Sequence, residues 1–169
     1  FVQLVSSSIA SKGSPGIELK KVKTAEEMLQ SVEIASTSAD ALIMAAAVSD
    51  WKPKTPLLDK IKKEDLESWN LELIKTPDII SQINHKNLFK IGFAAETSNL
   101  KENALKKLKA KQLHMIVAND VTKDNVGFGH DTNKISIIDT NENIQDFPLM
   151  SKYDAATKIL DSMAALSKK

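Results

Sequence analysis

Apolar and polar positions alternate along this chain in the way expected of a parallel sheet flanked by helices. Short apolar runs predict strands, and amphipathic segments between them predict helices. The predicted strands are residues 1–5, 17–22, 41–48, 70–75, 88–94, 113–118 and 134–139, and the predicted helices start near residues 24, 76, 99 and 151. We therefore predict an α/β fold with a mostly parallel sheet and helices on both faces.

Two segments have a more specific prediction about their place in the sheet. Residues 41–48 are apolar nearly throughout, which is typical of a central strand covered on both faces. Residues 134–139 alternate between apolar and polar, which predicts pairing near an edge.

Helix starts and buried helix faces follow from local signals. Thr24 and Glu27 have capping-box spacing, and Thr76 before Pro77 predicts an N-cap followed by a first helical residue that loses no hydrogen bond. The apolar stripes that predict buried faces are Leu100, Ala104 and Leu108 in one helix, and Ala156, Ile159, Leu160 and Met163 in the last helix.

Size, charge and composition narrow the class of protein. A length of 169 residues predicts a single domain, and a net charge of +1 gives no general attraction to nucleic acid or to membranes. The absence of cysteine excludes disulfides, thiolate zinc sites and a cysteine nucleophile. Because the chain opens in mid-strand at Phe1, we expect that an N-terminal strand–helix unit is missing from it.

Polar residues follow three of the predicted strands, where an open parallel sheet binds its ligands. These residues are Ser49 and Asp50, Glu96 and Thr97, and Asn119 and Asp120. They predict a shared site, although Asp and Asn also simply begin turns. The small side chains of Ala45, Ala46 and Ala47 would let a planar ligand lie against the backbone, or would permit a tight helix–sheet contact.

Basic residues indicate where phosphates could bind. The lysines of residues 60–63 could close over phosphates or form a solvated face. The predicted helix start at residues 76–78 could bind an anion through its free N–H groups, although the negative charge of Asp78 would repel that anion. Lys107 and Lys111 lie four residues apart, so one helix face could hold a triphosphate or merely aid solubility.

Several familiar catalytic patterns are absent from the sequence. It contains neither the glycine fingerprint of dinucleotide-binding proteins nor a P-loop, and His85, His114 and His130 lack the spacing of metal ligands.

Five segments, in order, resemble the bacterial phosphopantothenate–cysteine ligase family. They are residues 45–51 (AAAVSDW), 60–63 (KIKK), 76–80 (TPDII), 92–97 (GFAAET) and 116–120 (IVAND). In many bacteria this domain is the C-terminal half of a bifunctional protein that also carries a flavin-dependent phosphopantothenoylcysteine decarboxylase. The resemblance covers essentially the whole chain.

The resemblance implies a Rossmann-like fold and a reaction in two steps. The carboxylate of 4′-phosphopantothenate attacks the α-phosphate of CTP to give an acyl-cytidylate and pyrophosphate, and L-cysteine then displaces CMP. The family implies Mg²⁺ on the triphosphate, a homodimer whose partner subunit contributes to the site, and a cytoplasmic location.

The resemblance also implies roles for individual residues. Lys60 would stabilise charge on the phosphates as the catalytic residue, and the other nucleotide-binding residues would be Ala45, Ala46, Ala47, Asp50, Pro77, Asp78, Ile79, Ile80, Phe93, Lys107 and Lys111. His114 stands where the family usually has Asp, and we assign it no role. The family's N-terminal Gly-rich turn, with its Asn and Arg, does not precede Phe1, so an alternative interpretation is a non-catalytic nucleotide-binding module. A nicotinamide-dependent reductase is a weaker interpretation, because the glycine fingerprint is missing.

Overall fold

The computed structural model describes residues 1–7, 15–56, 59, 62, 67–96, 99–120 and 130–168. It divides into two compact units, which are described separately: unit 1 is Phe1–Ala35 with Ala46–Ile79, and unit 2 is Ser36–Ala45 with Ile80–Lys169. The prediction of a single domain stays a prediction.

In chain order the elements are β1 (Val2–Ser6), β2 (Ile17–Lys21), α1 (Ala25–Ser36), β3 (Ala41–Met44), β4 (Trp51–Pro53), β5 (Leu73–Lys75), α2 (Ile79–Gln82), β6 (Phe89–Glu96), α3 (Leu100–Ala110), β7 (Met115–Asp120), β8 (Thr132–Asn133), β9 (Ile135–Asp139), β10 (Ile144–Asp146), β11 (Met150–Ser151) and α4 (Lys152–Leu166).

Unit 1 contains two small sheets and all of α1 except its last residue. β1 and β2 pair in parallel, and β4 and β5 form an antiparallel pair. The predicted capping box is present at the start of α1: the Glu27 N–H donates to Thr24 Oγ1 at 3.1 Å, and the Glu27 carboxylate accepts from the Lys23 N–H at 2.7 Å. The carboxylate thus reaches one residue further back than in the usual motif.

Unit 2 contains a five-stranded sheet in the order β10-β9-β7-β6-β3. β3, β6 and β7 are parallel to one another, whereas β9 and β10 are added by antiparallel pairing. Side chains of β7 alternate between the two faces: Ile116 packs in a cluster with Leu108 of α3, and Val117 packs in a second cluster with Ile159 of α4. The predicted α/β class, with helices on both faces of a parallel-rich sheet, is confirmed.

Close packing between α3 and the sheet explains one glycine. A Cβ atom placed on Gly92 of β6 would lie 2.6 Å from Leu113 Cδ1, well inside van der Waals contact. Leu113 is buried in the same cluster as Ala104 and Leu108, which confirms the predicted inward face of α3.

Two sequence predictions about strand position and burial are wrong, and a third is confirmed. Only Ala41–Met44 of the expected central strand is β-structure, and β3 is the end strand of the described sheet. The prediction that residues 134–139 pair near an edge is confirmed, because β9 lies between β7 and the end strand β10, and all five residues of β9 are buried. In α4 the inward residues include Ala155 and Ile159, whereas Ala156 and Leu160 are exposed. Adjacent residues in a helix point about 100° apart, so only one residue of the pair Ala155 and Ala156, and one of the pair Ile159 and Leu160, can point directly at the core.

The predicted helix start at Thr76 is also wrong. α2 begins at Ile79 and has four residues. The Thr76 hydroxyl donates to the carbonyl of Ser49, and the Thr76 N–H donates to the carbonyl of Asp50 at 3.0 Å. Thr76 therefore anchors the segment after β5 to the segment before β4, where both belong to unit 1.

Replacing Ser151 with alanine is expected to destabilise the fold by about 1 kcal/mol, because the Ser151 hydroxyl is the N-cap of α4. It accepts from the Asp154 N–H at 3.0 Å and donates to the Asp154 carboxylate at 2.6 Å. Urea denaturation measures the loss. Ser167→Ala, at the other end of the same helix, removes only a 3.4 Å hydrogen bond and is the matched control. Equal effects of the two changes would contradict the capping role.

Candidate functional site

Unit 1 encloses a cavity of about 530 Å³ at the carboxyl ends of its parallel strands. This volume is in the range of small-molecule and nucleotide sites. The lining residues come from the ends of β1 and β2, the first turn of α1 and the segments on either side of β4; its hydroxyl and charged members are Ser6, Ser7, Lys23, Thr24, Glu26, Ser49, Lys52 and Thr76. We call this the unit 1 cavity.

The charges around the unit 1 cavity are partly paired. The Lys52 ammonium forms an ion pair with Glu26, and this hydrogen bond lowers the pKa of the Glu26 carboxyl. Glu26 and Glu27 in the first turn of α1 also complement the positive end of the helix dipole. An anionic ligand would therefore meet Lys23 and several hydroxyl-bearing residues more readily than an open helix N-terminus.

Small residues form another wall of the same cavity. Ala46 and Ala47 line it, and both are exposed, so a ligand can approach their backbone. Trp51 also lines it and is 51% exposed, with the Lys75 ammonium 6.0 Å from the ring centroid. This distance between the Lys75 ammonium and the Trp51 ring is at the upper limit for a cation–π interaction.

Four further residues from the sequence prediction belong to unit 1. Asp50 is exposed, and its carbonyl accepts the Thr76 N–H, with Pro77 and Asp78 following Thr76 directly in the chain. Ile79 is only 2% exposed, so its side chain is part of the packed interior and not a free contact surface.

In unit 2 the predicted residues do not come together. Phe93 packs against the cluster on the α4 face of the sheet, whereas Lys107 and Lys111 belong to α3 and its C-cap, on the opposite face. Ile80 is buried in the α3-side cluster, and Ala45 is exposed at the end of β3. Because side chains alternate along β6, Phe93 cannot share a face with its neighbour Ala94, which points towards α3.

Two of the three strand ends predicted to share a site, those of β6 and β7, lie side by side in unit 2, and Thr97 lies outside the described residues. β6 and β7 pair in register, so that Ala95 lies beside Asn119 and Glu96 lies beside Asp120. The Asn119 Oδ1 atom is buried and has no hydrogen-bond partner in the described part of the chain. An acceptor of this kind could accept a hydrogen bond from a ligand at this edge of the sheet.

Most of the lysines of α3 have carboxylate partners. Lys101 contacts Asp146 at 2.7 Å, Lys106 contacts Glu102 at 2.7 Å, and Lys109 contacts Glu142 at 2.6 Å. The hydrogen bond from Lys101, followed by that from Ser136, lowers the pKa of Asp146. These pairs support the interpretation of those three lysines as a solvated face that also ties α3 to the β9–β10 hairpin. Lys107 and Lys111 are half-buried on the side of α3 that flanks Ala104 and Leu108.

Lys60, the predicted catalytic residue, lies outside the described residues, as do its neighbours Ile61 and Lys63. Lys62 is described and exposed. Within the described ranges, no group of three His, Asp or Glu side chains is placed to hold a metal ion. Over the same ranges, no helix has the length and apolar character needed to cross a membrane.

Ser6, Ser7, Lys23 and Lys52 were missed by the sequence prediction. The available signal was the pair of parallel strands β1 and β2, whose carboxyl ends are candidates for ligand binding by the same geometric rule as the later strands. Lys52 could not be found in this way, because it reaches the cavity from β4.

Comparison with known proteins identifies the family. The DNA/pantothenate metabolism flavoprotein C-terminal domain matches residues 1–166. The coenzyme A biosynthesis bifunctional protein CoaBC of Bacillus subtilis (strain 168) is 40% identical over 170 residues, which cover 99% of this chain and 42% of that protein. The crystal structure of the C-terminal domain of a CoaBC protein has a TM-score of 0.80 at 29% identity and covers 98% of this chain and 74% of that one.

A more distant structure shares the fold alone. A Cab2 mutant in complex with phosphopantothenate-cysteine has a TM-score of 0.63 at 16% identity, over 90% of this chain and 56% of that one. The chain spans about two fifths of the length of the Bacillus relative. By its sequence and its fold, this chain belongs to the DNA/pantothenate metabolism flavoprotein C-terminal domain family.

Proposed function

We propose that this chain carries out the CTP-dependent ligation of 4′-phosphopantothenate to L-cysteine in coenzyme A biosynthesis. The observation that carries the proposal is the unit 1 cavity, which is large enough for a nucleotide and is lined by Ala46 and Ala47 of the family-like AAAVSDW segment. The bifunctional CoaBC relative and the phosphopantothenate-cysteine complex of the fold neighbour support this substrate class.

In the proposed first step, a carboxylate oxygen of 4′-phosphopantothenate attacks the α-phosphorus of CTP. The bond from that phosphorus to the bridging oxygen breaks, and pyrophosphate leaves. In the second step, the amino group of cysteine attacks the acyl carbon, loses a proton and expels CMP. Charge builds up on the phosphate oxygens in the first step, so ammonium groups positioned before the reaction would stabilise the transition state.

The roles that we propose for individual residues are those of the sequence prediction, except that burial limits how Ile79 and Ile80 could contact the nucleotide. Lys60 would stabilise the phosphates, and the backbone of residues 45–47 would contact cytosine. Lys107 and Lys111 would hold phosphates. Ile79 and Ile80 are buried, so any contact with the nucleotide would come from their backbone atoms.

Mg²⁺ enters the proposal as part of the MgCTP substrate. The described residues offer no cluster of acidic or histidine ligands for a metal held by protein alone. Mg²⁺ typically keeps several of its waters and binds substrate phosphates. The triphosphate would therefore supply the ligands of Mg²⁺, and we assign no step to a metal held by this chain.

We also propose a homodimer, a cytoplasmic location and fusion to a flavin-dependent phosphopantothenoylcysteine decarboxylase in the complete polypeptide. The CoaBC relative is named as a bifunctional protein, which supports the fusion. A dimer would allow Phe93 and the α3 lysines, which lie on opposite faces of one sheet, to serve sites built from different copies.

A non-catalytic nucleotide-binding module is the second candidate function. One observation favours this candidate: the Lys52 ammonium, in the lining of the unit 1 cavity, already forms an ion pair with Glu26. Pyrophosphate release from CTP that requires phosphopantothenate, with repeated turnover that also requires cysteine, would exclude this candidate.

CTP is expected to raise the melting temperature of the protein more than ATP or GTP does. At a concentration one hundred times its Kd, a ligand that binds only the folded state adds about 2.7 kcal/mol to stability, which corresponds to a shift of several degrees. Differential scanning fluorimetry with equal concentrations of the three MgNTPs measures the difference. Equal shifts with all three would show that the cytosine ring is not recognised.

A further inference from the structure

Lys90 is the one buried lysine in the described part of the chain, with 5% of its surface exposed. It is the second residue of β6, and by the alternation of the strand its side chain points to the α3 face, like that of Ala94. Burying an ammonium group is costly unless it is fully hydrogen-bonded, and burial lowers the pKa of Lys90. Because burying the Lys90 ammonium is unfavourable, its presence in the interior indicates a structural or functional role.

The Lys90 ammonium has a partner for each of its three donors. It donates to the carbonyl of Ile83 at 3.1 Å, to the carbonyl of Lys111 at 3.1 Å and to Asn84 Oδ1 at 3.5 Å. Ile83 directly follows α2, and Lys111 is the C-cap residue of α3. One buried cation therefore joins the C-terminal ends of two helices.

The end of α3 needs this cation because of how the helix stops. Gln112 has a left-handed φ of 51°, its N–H donates to the Lys109 carbonyl at 3.2 Å, and the Leu113 N–H donates to the Leu108 carbonyl at 2.9 Å. This pattern is a Schellman motif, which satisfies two carbonyls of the last turn and leaves that of the C-cap. Lys90 supplies the donor for that carbonyl and places a positive charge at the negative end of the helix dipole.

We propose that Lys90 is a positioning residue for the nucleotide site, fixing the backbone of Lys111 relative to the end of α2. The inference rests on the proposed function, in which Lys111 binds phosphate and the segment up to Ile80 contacts the nucleotide. Lys90 itself is too deeply buried to touch the ligand. It acts by holding two binding segments at one separation, so that both can contact the same bound nucleotide.

The test compares Lys90→Met with Lys90→Arg and with Lys86→Met in the complete polypeptide. Lys90→Met keeps the length of the side chain but removes all three donors, and it is expected to raise the KM for CTP roughly tenfold to a hundredfold, the effect of losing one charge-assisted contact to phosphate. The KM for cysteine is expected to stay unchanged. Lys90→Arg keeps the cation and should restore part of the CTP affinity, and Lys86→Met, at an exposed lysine on the chain before β6, should behave as wild type.

A purely structural role would give a different result. Loss of folded protein lowers kcat, because fewer molecules are active, and leaves the KM for CTP unchanged. If Lys90→Met does not fold, Lys90→Gln and Lys90→Arg are measured by calorimetric titration with CTP. Folded variants that bind CTP with the wild-type Kd overturn the positioning role alone. A wild-type protein without CTP-dependent turnover overturns the proposed function, and this inference falls with it.

Discussion

Ile116→Ala is expected to lower the free energy of unfolding by about 2–5 kcal/mol, the range found when a buried isoleucine is truncated. Ile116, the second residue of β7, is 1% exposed between the neighbouring strands β6 and β9, and it packs in the α3-side cluster with Leu108. Truncation removes apolar contacts and leaves a cavity that α3 and the sheet cannot close. Urea denaturation followed by circular dichroism measures the change.

Ile34→Ala is the matched control for this prediction. The chemical change is the same, but Ile34 lies on α1 and is 67% exposed, so its truncation should alter stability by less than about 0.5 kcal/mol. If both variants lost the same amount, burial of Ile116 in the core would be contradicted.

Lys60→Gln is expected to reduce kcat for ligation by roughly a hundredfold to a thousandfold while the fold persists. Removing one group that stabilises transition-state charge typically has an effect of this size. Glutamine retains a polar side chain of similar length without the charge. The measurement is pyrophosphate release in the complete polypeptide with CTP, phosphopantothenate and cysteine, with circular dichroism as the check on folding.

Lys158→Gln provides the charge-matched control, since Lys158 is exposed on α4 and no role in the site is proposed for it. It should leave kcat near the wild-type value. Full turnover by Lys60→Gln would remove Lys60 from the mechanism and would direct attention to Lys23 and Lys52 of the unit 1 cavity.

The sequence predicted most of unit 2 because its elements carry strong local signals. The stripe of Leu100, Ala104 and Leu108 identified the buried face of α3, and the apolar runs identified β6 and β7. The failures occurred where hydrophobicity is not decisive. Alanines at 45–47 are compatible with strand or loop because their side chains bury little surface, and the structure leaves all three exposed.

Parts of the candidate site could not be predicted because they depend on long-range geometry. The family-like segments gave the residues, but only strand register shows that Phe93 faces α4 while Lys107 and Lys111 belong to the other layer. The burial of Lys90 was equally hidden, since a lysine in a strand is usually solvated and its partner carbonyls come from residues 83 and 111.

Gly92 and Leu113 form a single steric pair, with consequences for how the sequence can vary. Any side chain at position 92 would occupy space that the Leu113 methyl groups already fill. The Leu113 N–H closes the end of α3 by its hydrogen bond to the Leu108 carbonyl, which fixes the backbone, and the Leu113 side chain is buried in the α3-side cluster, so a shift of its methyl groups would disturb that packing. Substitution at either position is therefore constrained by volume at the other, and a larger residue at 92 is expected to be tolerated better in combination with a smaller one at 113.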